Sequence, residues 1–107
     1  MRSTLHLLAH GLVPLAIVLF LPKEQRLRCW LLMTSANLVD LDHLLADPIY
    51  DPDRCSIGFH PLHTLPATLL YLLVLVTPKV PTSGRWVALG LIVHMALDQI
   101  DCWLMSA

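Results

Sequence analysis

The chain has 107 residues, enough for one domain; 56% of them are hydrophobic, 14% are charged and the mean hydropathy is +0.66. That balance is too apolar for a soluble domain of this size and predicts a bilayer protein. The formal charge of −1, without a dense run of Lys or Arg, argues against nucleic acid as a partner.

Four apolar segments follow one another at residues 4–21, 27–46, 60–77 and 86–105. Each is near the ~20 residues a helix needs to cross ~30 Å of hydrocarbon, so the expected fold is all-α, an up-down-up-down four-helix transmembrane bundle. Arg2 before the first segment resembles the start of a secretory signal. No small-x-small cleavage site precedes Lys23, however, and two histidines lie inside, so the segment is expected to be retained. Pro14 and Pro66 fall within segments, where they are tolerated if neighbours satisfy the freed carbonyls.

Lys23, Arg26 and Arg28 mark the first connection, and Pro48 and Pro52 close the second helix. Pro61 is expected at the first helical position of the third segment, and Pro78, Pro81 and Gly84 form the third connection. Trp30 and Trp86 at one level, with Tyr50, Phe59 and Trp103 at the other, read as two interfacial belts. Gly11 and Gly90 are expected to allow close helix approach. Cys29, Cys55 and Cys102 lack CxxC spacing and are too few for a disulfide framework. A Cys55–Cys102 bridge is the less favoured alternative, open because both would lie on one membrane side.

The polar residues within these segments gather at one level. In an up-down bundle the starts of helices one and three lie beside the ends of helices two and four. His6 and His10, Asp40, Asp42 and His43, His60 and His63, and His94, Asp98 and Asp101 therefore share one end. Their spacings are i,i+4, i,i+3, i,i+3 and i,i+4,i+7, which set a pair or triplet on one face of each helix. Asp42 alone points away from Asp40 on a regular helix; it uses an irregular helix end, orients another ligand, or reaches lipid headgroups. Asn37, on the Asp40 face, is placed to orient a ligand.

An ionised Asp at the centre of a membrane helix costs roughly 2.5–3.5 kcal/mol, so four of them cost on the order of 10 kcal/mol if uncompensated. All the Lys and Arg residues fall in loops or flanks. A bound divalent metal is the compensation that also accounts for the converging histidines. The expected ligands are His6, His10, Asp40, His43, His60, His63, His94 and Asp98, too many for one four-coordinate ion, which favours a dinuclear centre bridged by Asp40 or Asp98. Mixed His/Asp ligation suits zinc first, with iron, manganese or nickel allowed.

On these residues the chain resembles the membrane-bound metal-dependent hydrolase family, small bacterial inner-membrane proteins. The likeness rests on an early His6 or His10 before Gly11, the element Asp40-Leu41-Asp42-His43, the pair His60 and His63, and the late His94-xxx-Asp98. The family's paired-His segment carries a basic residue that this chain lacks. The resemblance implies hydrolysis. The expected mechanism is metal-assisted: a metal-bound water would attack an ester, amide or phosphoester, with Asp42 or Asp101 as the catalytic proton relay.

The depth of the ligands points to a lipid-like substrate in the bilayer. The alternatives are a structural metal site and a metal transporter or sensor; few polar residues line the opposite halves of the helices, which counts against transport. The excess of Lys and Arg in the first and third connections predicts that both termini and the metal site lie on the non-cytoplasmic side of the inner membrane. A homodimer is an open expectation of so thin a bundle, with no interface motif to mark it.

Overall fold

The computed structural model describes residues 2–47 and 54–106. The expected positions Pro48, Tyr50 and Pro52 lie outside them. The described chain is all-α: α1 (Arg2–Val18), α2 (Lys23–Ser35) continued by the 3-10 helix η1 (Ala36–Leu45), the 3-10 turn η2 (Pro61–His63), α3 (Leu65–Val76) and α4 (Thr82–Ser106).

Four α-helices form as expected, but they are not four equal spans. Among the described residues only α4, over Thr82–Met105, is by itself long and apolar enough to cross a membrane; Thr4–Val18 and Leu65–Val76 are apolar but shorter. Two local causes shorten the others. The second segment changes from α to 3-10 winding at Ala36. Pro61 opens the turn η2 rather than α3, and Pro66 falls in the first turn of α3, where a missing N–H costs nothing, rather than in the helix interior.

The helix α4 is the axis of the bundle, packing against α1, α2, η1 and α3, while α1 also packs along α2. Gly90 makes the α2 contact tight: a Cβ there would lie 2.7 Å from the Met33 Cα. Gly90→Leu is therefore expected to force α2 away from α4 and to destabilise by about 3 kcal/mol or more, since the clash is with backbone; thermal unfolding in detergent measures it. Gly11 differs from expectation. Nothing lies within 4 Å of its Cβ direction, and its contribution is the carbonyl that accepts the Trp30 indole N–H at 3.0 Å. Trp30 thus points into the bundle and not to an interfacial belt. With Trp86 it edges the apolar core formed by Val18, Cys29 and Met33.

Basic residues finish the ends of neighbouring helices, which lowers the cost of their unpaired carbonyls. Arg26 donates from Nε to the Leu21 carbonyl and from Nη2 to that of Leu19, beyond the end of α1. Arg85 donates from Nε to the Leu75 carbonyl near the end of α3.

Towards the other end the usual distribution is inverted. His10, Asp42, His60, His63, His94 and Asp98 are buried, whereas Leu5, Leu8, Leu41, Leu44, Leu65 and Trp103 are exposed. The cysteines also depart from the favoured expectation: Cys55 and Cys102 form a disulfide, Cα–Cα 5.0 Å, which ties the segment before η2 to the last turns of α4. Cys29 stays free and buried.

Candidate metal centre

Pro14 has no N–H to give the carbonyl of His10, four residues back, so that carbonyl needs another donor. Asn37, in the first turn of η1, supplies one: its Nδ2 donates to His10 O at 3.5 Å. Its Oδ1 then accepts from Nδ1 of His94 at 2.9 Å. One amide therefore links α1, η1 and α4 and fixes the His94 tautomer, leaving the Nε2 lone pair facing inward.

His63 is oriented in the same manner. Its Nδ1 donates to Asp42 Oδ2 at 2.9 Å, an oxygen that also accepts the Leu62 backbone N–H at 2.9 Å. The other Asp42 oxygen accepts from Nδ1 of His43 at 3.2 Å, and the same His43 nitrogen lies 3.0 Å from the Asp40 carbonyl. Asp42 is buried with both oxygens engaged, and one of them holds His63, the second of the placements expected of it. Winding explains how it gets there. In a 3-10 helix residues three apart eclipse, which turns Asp42 from where α geometry would aim it.

Four donor atoms converge beyond these supports: Asp40 Oδ1, His63 Nε2, His94 Nε2 and Asp98 Oδ2. Asp40 Oδ1 lies 3.1 Å from His63 Nε2 and 3.0 Å from His94 Nε2. Asp98 Oδ2 lies 3.1 and 3.2 Å from the same two nitrogens, which are 3.1 Å from each other. Metal–ligand bonds of ~2.0 Å at tetrahedral angles require donors about 3.3 Å apart; these five separations are close to that, and the sixth, between Asp40 and Asp98, is within 4.8 Å.

Asp98 also carries a second group on its other oxygen. His6 Nε2 is 3.0 Å and His10 Nε2 3.1 Å from Asp98 Oδ1. Nδ1 of His10 donates to the His6 carbonyl at 2.7 Å, which again leaves Nε2 as a lone pair.

Asp98 is thus encircled by four imidazole nitrogens, and on the rings of His10, His63 and His94 the other nitrogen, Nδ1, is already hydrogen-bonded elsewhere, so that a neutral ring turns its Nε2 lone pair to the carboxylate. Its Oδ2 is buried with no hydrogen-bond donor. Buried acceptors facing acceptors repel unless a cation lies between them. The donor set therefore fits divalent metal at both groups, with Asp98 shared. Asn37→Leu removes both the partner that orients His94 and the donor to the His10 carbonyl, and is expected to weaken metal binding about 10–100-fold; competition with a chromogenic chelator reads the affinity.

The remaining expected ligands take other places. His43 and His60 stack with centroids 3.8 Å apart and, with Asp42, form a third group of donors that could also hold a metal ion, apart from the two sets around Asp98. Asp101 lines a cleft beside His6. Asn37 was singled out by its face, whereas the shared role of Asp98 had only its i,i+4 spacing from His94 as a sign.

No curated protein and no solved structure is significantly similar to the chain. A single family model, described as a family of unknown function (DUF6122), matches residues 1–105. On that match, which covers nearly the whole chain, the protein belongs to the DUF6122 family.

Proposed function

We propose that this chain is a multi-pass membrane metalloprotein holding two divalent ions that share Asp98, and that it is a metal-dependent hydrolase acting on a membrane-borne substrate. One observation carries the reading: a buried carboxylate surrounded by four imidazole nitrogens, three of them on rings whose other nitrogen is hydrogen-bonded elsewhere. His63, His94, Asp40 and Asp98 would hold one ion and His6, His10 and Asp98 the other. Zinc suits these nitrogen and oxygen donors best.

Membrane placement is supported by the inverted surface, since a polar interior beneath exposed leucines is the arrangement a bilayer stabilises. Residues 27–45, with their 3-10 winding, rise roughly 33 Å and so have a membrane-spanning length. The disulfide supports placing the metal end on the non-cytoplasmic side, because such bonds persist in oxidising compartments, and this agrees with the Lys/Arg bias of the opposite connections.

Bound metal would supply Lewis acidity and an activated water for hydrolysis. The chain's own residues contribute position and proton handling. Asn37 and Asp42 keep His94 and His63 in their ligating tautomers, Asp98 holds the two donor groups in register, and Asp101, beside His6, is the acid placed to relay a proton. The side chain of Asp40 is 43% exposed, which gives access to the centre and favours catalysis over a sealed structural site.

Elemental analysis of detergent-purified protein is expected to give two ions per chain. Cobalt substitution then separates the roles: azide should shift the visible bands of an accessible ion, and unchanged bands at both positions would refute catalysis in favour of a structural staple.

A further inference from the structure

Two apolar hollows on the outside of α1 meet at Leu5 and Ala9. One is a cleft of ≈ 450 Å³ between α1 and α4, whose wall includes Leu97 and Ile100 and whose polar groups are His6 and Asp101. The other is a wholly apolar trough of ≈ 380 Å³ that follows α1 past Leu12 and Ala16 to Phe20. Both fall in the ~300–1,000 Å³ range of small-molecule sites. Leu5 and Phe20 are fifteen residues apart, about 22 Å along the helix. The hollows thus form one long apolar track with a polar end, and that end is a wall of the metal centre.

Resting on the metal reading above, we propose that this track admits a single-chain amphiphile sideways from the bilayer. Its chain lies along Leu5–Phe20 and its oxyanion headgroup sits at His6, against the ion held by His6, His10 and Asp98. Three observations converge on that occupant. The track is apolar for its whole length except where it meets a metal ligand, which matches one chain with one polar head. The side chain of His6 is 21% exposed whereas that of His63 is fully buried, so the centre opens towards the cleft.

Coordination is complementary as well. Two divalent ions outweigh the carboxylates of Asp40, Asp98 and Asp42, and His6, His10 and Asp98 leave a fourth position for an anionic oxygen. Asp101, on the same wall, is a fourth carboxylate, so the open coordination position rather than net charge is what draws the anionic oxygen. The headgroup chemistry is a phosphate or a carboxylate.

Photolabelling of the zinc-loaded protein in detergent tests this. Diazirine-bearing palmitic acid, hexadecyl phosphate and hexadecanol are compared, with ion content measured on each sample. At least one anionic probe is expected to label α1 and α4 peptides of the track about tenfold more than the alcohol, the scale of one direct ionic contact. Which of the two does so identifies the headgroup. Chelation should abolish the difference, and Ala9→Trp and Ile100→Trp should each lower labelling about tenfold with two ions retained.

Equal labelling by the alcohol, or labelling insensitive to chelation or to both tryptophans, would overturn the proposal and leave the metal reading standing. A stable dimer that Ala9→Trp dissociates would put a second copy on this face and overturn the proposal in the same way. Absence of zinc in the wild-type protein would instead refute the metal reading itself.

Discussion

Asp98→Ala is expected to remove both ions at once. Each Asp98 oxygen is within 3.2 Å of two imidazole nitrogens, so no other single side chain belongs to both donor sets. Loss of a shared ligand should weaken binding by more than the ~10–100-fold that follows loss of an orienting partner. The effect on stability follows from linkage: an ion present at ~1,000 times its Kd contributes roughly 4 kcal/mol to the folded state. Losing even one such contribution lowers Tm by about 15–30 °C in a domain of this size.

Elemental analysis and thermal unfolding in the same detergent make the measurement, with exhaustive chelation of the wild-type protein as the reference. Chelated wild type and Asp98→Ala should unfold at similar temperatures, and Asp101→Ala should keep both ions. If Asp98→Ala retained two ions, or if chelation left Tm unchanged, the shared-carboxylate centre would be refuted.

How much of this centre the sequence disclosed depends on the range of the interactions involved. His94 and Asp98 stand four apart on a regular α-helix, and His6 and His10 likewise, so their common faces were readable from spacing alone. Asn37 was readable for the same reason, lying three residues before Asp40. Asp42 was not. Its aim depends on the change to 3-10 winding at Ala36, and its partners Leu62 and His63 lie about twenty residues ahead in η2, beyond the reach of any helical spacing rule.

The prolines divide along the same line. Pro14 did require a surrogate donor, which Asn37 provides, while Pro61 and Pro66 set boundaries that hydropathy blurred. The central position of α4 is tertiary: Gly90 hinted at a close approach, but its partner, the Met33 backbone, could not be inferred from spacing within either helix.

Removing the disulfide, by Cys102→Ser or by reduction, is expected to produce the other large change. The bridge joins residues 47 apart, and the chain-entropy model gives about 4 kcal/mol for a loop of that length. That is an upper value here, since helices already inserted in a membrane leave the unfolded chain less freedom to lose, and roughly 2–4 kcal/mol is the expected range. The effect should reach the metal centre through a short path.

Cys55 opens the segment that ends in η2. Beyond the bridge, that segment is held by Leu62, whose N–H donates to Asp42 and whose carbonyl accepts the Tyr71 hydroxyl at 2.8 Å. Freeing one anchor leaves His63 dependent on Asp42 and Tyr71, so the ion at His63, His94, Asp40 and Asp98 should exchange faster than the ion at His6, His10 and Asp98. Chelator-driven release from reduced and oxidised protein resolves the two phases. Acceleration confined to one phase is the expected result, and identical release kinetics in both redox states would exclude the bridge as a support of the centre.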